Sequence, residues 1–269
     1  MANESTASVP AIPPVPAAPE PRTVAAGRGV SWWIEGWRLF TPSVANWLLI
    51  SLVLCAAALI ASAAGTLPVL GQLIALAGEV LWPLFIGGLM VGCRAIDRGN
   101  PLLFAHLVAG FSQRAGALLK AGIIYTVLLV VISVAIGGIM IAIFGVSILG
   151  VITGSTDWTQ EGIAFSSAVV AVLLGFLFFL LLLVPLVMAI WFAPALIMLG
   201  GMDAPQAMKA SFAGCLRNVV PFLAYGAIGI VLVIVASIPF GLGWLVLVPV
   251  SVTSIYASYC DIFEDRDSG

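Results

Sequence analysis

The chain has 269 residues, 62% of them hydrophobic and only 8% charged, with a formal net charge of -2 and a mean hydropathy of +1.20. A soluble domain carries about 25% charged residues, and a water-soluble fold this apolar has too little polar surface to cover its core. The apolar runs are continuous rather than alternating, which argues against a β-barrel and leaves an all-α polytopic membrane bundle.

Residues 1–27 hold six of the sixteen prolines and no apolar run. That is not the pattern of a signal peptide, and it predicts a disordered tail, extended where proline is dense. Residues 29–40, GVSWWIEGWRLF, predict a helix lying on the membrane, because Val30, Trp33, Ile34 and Trp37 recur at helical spacing. Tryptophan suits that interface, where its ring is apolar and its N–H meets water. Glu35 and Arg38 lie off the stripe, three residues apart, and are expected to pair weakly.

The membrane domain is expected over residues 28–262, with spans near 44–64, 69–94, 121–144, 164–199, 219–239 and 244–259 and a polar tail over 263–269. A span needs about 20 apolar residues. The fourth candidate runs uncharged for about 35 residues, so it is expected to tilt or to project beyond the bilayer. A turn at Pro185 would split it in two, but no turn chemistry surrounds that residue. Residues 102–118 repeat the amphipathic theme with Phe104, Leu107, Val108 and Phe111 as the stripe, and residues 146–162 read as a polar loop. After Leu199 a short turn leads into a third amphipathic helix, with Met208, Phe212, Cys215 and Leu216 on its apolar face and Asp203 placed to cap it.

The ten Lys and Arg residues are Arg22, Arg28, Arg38, Arg94, Arg98, Arg114, Lys120, Lys209, Arg217 and Arg266. In a six-span chain all of them fall in the two tails or in the loops after spans two and four. Positive charge stays cytoplasmic, so both termini are expected inside. Three loose repeats follow, each a cytoplasmic amphipathic interfacial helix leading into a helical hairpin. The plainer explanation is that any loop leaving a membrane collects interfacial aromatic and basic residues.

Glu79 is the one charged side chain deep in a predicted span. A carboxylate at bilayer depth is costly and should face the bundle. Gln72 lies seven residues earlier on the same helical face, and Pro83, four residues later, frees the Glu79 carbonyl from the helix ladder. Glu79 and Gln72 are therefore the candidates for an intramembrane polar site, either for a proton, cation or polar substrate, or simply for a bond to Tyr125, Thr126, Tyr225 or Ser251. Gly88 and Gly92 form a GxxxG that serves packing within the chain at least as readily as dimerisation. Arg38, Arg114, Lys120, Lys209 and Arg217 are candidates for contact with anionic lipid headgroups, although topology alone needs the same residues. Four scattered cysteines and one histidine give no metal or disulfide pattern; His106 is expected to be solvated. No catalytic motif is present, so no catalytic residue, metal, cofactor or nucleic-acid partner is expected.

Phe192 to Ala195, Arg217-Asn218 and Tyr256 to Asp261, together with Gly36 to Phe40 and Cys93 to Gly99, carry a resemblance. These stretches resemble a family of bacterial multi-pass inner-membrane proteins of unassigned activity. That family often has a basic residue where this chain has Cys260. The hairpin-plus-surface-helix plan is also distantly similar to the membrane domains attached to some glycerophosphodiester phosphodiesterases. The resemblance implies a six-span inner-membrane architecture and no particular activity. The expected function is a non-enzymatic membrane-organising protein acting through lipid or protein contacts; the alternative is a small transporter or permease with Glu79 at its polar centre.

Overall fold

The structure is a computed structural model and describes residues 20–67, 69–152 and 161–264. Among these, every regular element is helical. In chain order they are α1 (Arg28–Phe40), a 3₁₀ turn (Thr41–Ser43), α2 (Val44–Ala64), α3 (Leu70–Asp97), a second 3₁₀ turn (Phe104–Val108) and α4 (Ala109–Gln113). Then follow α5 (Ala115–Ile152), α6 (Glu161–Trp191), α7 (Ala193–Met198), α8 (Ala204–Arg217), α9 (Val219–Ser237) and α10 (Trp244–Phe263). Six helical stretches among the described residues are long and apolar enough to cross a bilayer. The chain is therefore a multi-pass membrane protein.

The core sits at one end. There the C-terminal halves of α3 and α10 meet α1, α7 and α8, and Trp32, Met90, Cys93, Phe192, Leu196, Tyr256 and Ile262 are almost fully buried. Toward the other end the hairpins separate. In its most apolar stretch α10 is 67% buried, but the corresponding stretches of α5 and α6 are only 6% buried. Their exposed Ile, Leu, Val and Phe side chains would be an aggregation liability in water; against lipid tails they cost nothing. At 38 residues α5 is about 57 Å long, well beyond a hydrocarbon core of about 30 Å.

The fourth predicted span is broken near its C-terminal end. Pro185 lies inside α6 without ending it; the break comes at Phe192. In an unbroken helix the Phe192 N–H would donate to the Met188 carbonyl. Here Ser211 of α8 is inserted between them: the Phe192 N–H donates to Ser211 Oγ at 2.9 Å, and that hydroxyl donates to the Met188 carbonyl at 2.6 Å. A side chain entering the ladder is a recognised cause of a kink. It turns α7 into the protein, where Ala193, Leu196 and Ile197 are fully buried.

Small residues choose the packing faces. The apolar stripe expected to lie on the membrane was Val30, Trp33, Ile34 and Trp37, and the face that α1 turns to the protein is Gly29, Trp32, Trp33, Gly36 and Phe40. Val30, Ile34 and Trp37 are exposed. A Cβ on Gly29 would lie 2.1 Å from the Pro221 carbonyl oxygen, so only glycine lets α1 sit so close to α9. Likewise α8 buries Ala204, Ala207, Met208, Ser211, Gly214 and Cys215, leaving Phe212 partly exposed and Leu216 exposed. The second surface helix does not form as one element. Residues 102–118 divide into a 3₁₀ turn, one turn of α4 and the start of α5. Gly88 and Gly110 explain its seat, since a Cβ on either would fall 2.3 Å from the His106 carbonyl oxygen or 2.0 Å from that of Leu84. The GxxxG face of α3 is thus covered from within the chain.

Other boundaries shift. Helix α5 runs to Ile152 and α6 starts at Glu161, so most of the loop expected over 146–162 is helical or lies outside the described residues. The tail expected to be disordered to residue 27 is tied down from Pro21: the Arg22 N–H donates to the Ile262 carbonyl, the Val24 N–H to Asn218 Oδ1, and Arg217 to the Pro21 carbonyl. Its first 19 residues lie outside the described residues. Asp203 holds the N-cap position of α8 without a side-chain cap bond.

Replacing Ser211 by Ala leaves the Phe192 N–H and the Met188 carbonyl without their bridge. A loss of about 1–3 kcal/mol is expected, read as a lower midpoint of unfolding in detergent relative to wild type.

Candidate functional site

Glu79, exposed on α3, lines a cavity of about 530 Å³ bounded by α1, α3, α5, α6, α7, α9 and α10. Pro83, buried in the same helix, leaves the Glu79 carbonyl without its usual N–H partner. One turn away α5 comes against α3 at Gly122, where a Cβ would meet the Val80 carbonyl oxygen at 2.1 Å. That close approach brings Tyr125 to the cavity beside Glu79. Of the four hydroxyl residues expected as partners, Tyr125, Tyr225 and Ser251 line the cavity; Thr126 does not. Gln72, expected to share the site, lies exposed on α3 outside the lining. The intended Glu79–Gln72 pair therefore does not form one site.

Two of the three hydroxyls of the wall are engaged elsewhere. Tyr225 Oη is 2.7 Å from Ser254 Oγ, and the Ser251 hydroxyl donates to the Leu247 carbonyl at 2.7 Å. The Glu79 carboxylate makes no hydrogen bond or ion pair among the described residues.

The residues that sequence reasoning missed are aromatic. Trp33, Trp82, Trp191 and Trp244, half of the eight tryptophans of the chain, line this one cavity. They come from α1, α3, α6 and α10, so no local pattern links them. Trp33 stacks on Tyr225 with ring centroids 4.6 Å apart and 9° between planes, and its Nε1–H donates to the Tyr225 carbonyl at 3.0 Å. Trp191 meets Tyr225 edge-on at 6.3 Å. Trp82 and Trp244 are 49% and 39% exposed, so their faces are available. Among the described lining residues Glu79 is the one that carries a charge. Helices α6 and α9 meet across the cavity at Trp191, whose ring contacts Phe222 and Tyr225, and a separate gap of about 250 Å³ lies between them, lined by Val184, Val187, Phe222 and Leu223.

The polar end is a clamp. Asp261 Oδ2 accepts from Arg28 Nε at 2.5 Å and from Trp32 Nε1 at 2.8 Å. Arg28 also reaches Glu35, two turns further along α1, at 2.7 Å. Arg94 pairs with Glu264, and the Tyr256 hydroxyl donates to Asp97 at 3.0 Å. Of the headgroup candidates, Arg38, Lys120, Lys209 and Arg217 are exposed. Arg217 is engaged by the Pro21 carbonyl, and Arg114 is half-buried beside Gly201. Arg38 lies at the margin of a second, open groove of about 660 Å³ between Val30, Ile34 and Trp37 of α1 and the α9–α10 hairpin. Cys93, Cys215 and Cys260 are buried, and Cys55 is partly so.

No protein-family model, curated protein or solved structure matches the chain. The geometry has to carry the functional reading by itself.

His106 is half-buried, not fully solvated as expected, and its Nδ1 accepts the Leu103 N–H at 3.0 Å. Burial lowers its pKa from 6.5. The unfolded imidazole then takes up a proton more readily than the folded one, so this contribution to stability is intact above roughly pH 6.5 and is lost as pH falls through the folded value. Unfolding midpoints measured from about pH 7 to pH 5 should fall more for wild type than for His106→Gln.

Proposed function

We propose that the chain is a non-enzymatic protein of the bacterial inner membrane with both termini in the cytoplasm, and that it binds, and carries, a small amphiphilic molecule in the Glu79 cavity. One observation carries this reading. The carboxylate deep in α3 opens into a cavity of about 530 Å³ instead of being sealed among packed side chains. Small-molecule sites are concave, mostly apolar, about 300–1,000 Å³, and oriented by a few polar groups. The gap between α6 and α9 gives an amphiphile a lateral route from the bilayer. The orientation rests on the charge rule and on the clamp, which gathers Arg22, Arg28, Arg94 and Arg217 with both chain ends. The inner-membrane assignment rests on the family resemblance.

A second reading, contact with anionic lipid, is favoured by the groove beneath α1. Its apolar walls suit an acyl chain, with Arg38 at the margin for a phosphate; exposed Lys120 and Lys209 would add to such a contact.

The first reading is tested with the full chain in nanodiscs and a panel of small positive, negative and neutral amphiphiles, following thermal unfolding by tryptophan fluorescence. Binding to the folded state alone raises stability by about 2.7 kcal/mol at a hundredfold excess over Kd. At least one class should raise the midpoint in wild type, and Val187→Phe, which fills the cavity, should abolish the rise. A panel without effect, or an undiminished rise in Val187→Phe, would overturn it.

A further inference from the structure

Resting on the cavity reading above, we infer that the Glu79 cavity selects lipophilic organic cations, with the Glu79 carboxylate as counter-charge and the tryptophan faces as a cage. Three observations converge. The first is charge. Glu79 is the charged residue among those lining the cavity, and no Lys, Arg or His accompanies it among the described residues there. Its oxygens make no hydrogen bond or ion pair among the described residues. A carboxylate in a low-dielectric site attracts a cation far more strongly than it does in water, and leaving it without a counter-charge is costly. An anion would meet repulsion with no compensating donor.

The second is aromatic content. The ring face carries the negative part of the aromatic quadrupole, and cages of Trp and Tyr recognise quaternary ammonium groups for that reason. Trp82 and Trp244 stand partly uncovered at the cavity while Trp33 and Trp191 are braced by Tyr225. Tyr125 completes the wall next to Glu79. A hydroxyl-rich wall would have suited a sugar or a polar zwitterion, but of the three hydroxyls here Tyr225 and Ser251 have theirs engaged with Ser254 and the Leu247 carbonyl, which leaves Tyr125 alone.

The third is shape. The remaining wall is aliphatic, from Ile86, Val187, Ile190, Val233, Val248 and Val252. It would bury a hydrophobic body around the charge, and a small hydrated ion such as Na⁺ would gain too few oxygen ligands there to replace its water. The class is a delocalised or substituted cation with an apolar periphery.

Tetraphenylphosphonium and tetraphenylborate have the same shape and opposite charge, which makes them the decisive pair. Binding of each to the full chain in nanodiscs, corrected for protein-free nanodiscs, is read by tryptophan quenching, with triphenylphosphine oxide as the neutral probe. Wild type should bind the phosphonium at least about tenfold more tightly than the borate. Glu79→Gln should weaken the phosphonium by about tenfold or more and leave the neutral probe within about twofold. Trp82→Leu, at a half-exposed position outside the core, should weaken the phosphonium more than the neutral probe. Equal binding of the two ions, or unchanged phosphonium affinity in Glu79→Gln, would overturn cation selection while leaving the cavity reading standing. Failure of all three probes to bind would remove the cavity reading itself and this inference with it.

Discussion

A helix broken inside an apolar protein exposes backbone groups that only another part of the chain can satisfy. Ser211 meets that demand at Phe192, taking one bond from the N–H and giving one to the Met188 carbonyl. Much else follows from this hydroxyl. It fixes α8 against the end of α6, assisted by the Cys215 thiol on the same carbonyl. It allows α7 to turn inward and fill the centre of the core. It also sets Trp191, the last residue of α6, against Phe222 and Tyr225 of α9 at the head of the cavity. The two hairpins are therefore joined at one end and apart elsewhere.

The ionic clamp works on the same end by different means. Arg28, Trp32 and Asp261 tie the start of α1 to the end of α10, and Arg94–Glu264 with Tyr256–Asp97 ties the end of α3 to it. Exposed ion pairs contribute little, but these are partly buried and share partners with an indole and a phenol, so their geometry is fixed. Arg217 and Asn218 add a further joint by holding residues 21–24 against the end of α8. This joined base fixes the ends of α3 and α10, while close approaches such as Gly122 on Val80 and Gly175 on Met140 hold α5 against α3 and α6 further along.

The six spans were legible in the sequence, because hydropathy acts locally; Tyr125, Tyr225 and Ser251, suggested as bond partners of Glu79, share its cavity without bonding it. The packing faces of α1 and α8 were not legible. Large apolar side chains mark a buried face in water, but inside a membrane they suit lipid equally well, and close contact is decided by Gly, Ala and Ser. Hence Gly29 and Ser211 point inward, while Ile34 and Leu216 stay exposed and available to lipid. The break at Phe192 was hidden because hydropathy is continuous across it and the residue that stabilises it lies 19 positions away. The tryptophan wall was hidden for a similar reason, since its four members lie on four different helices.

The most direct measurement is the reactivity of a thiol placed at position 79. In a Cys55→Ser background, where the remaining native cysteines are buried, Glu79→Cys and Leu89→Cys would be exposed in nanodiscs to a small cationic thiol reagent. Leu89 is 1% exposed in the core and serves as the sealed reference. Ready labelling at 79 with none at 89 is expected of an open cavity. Equal protection of the two thiols would contradict it and return Glu79 to the packed interior.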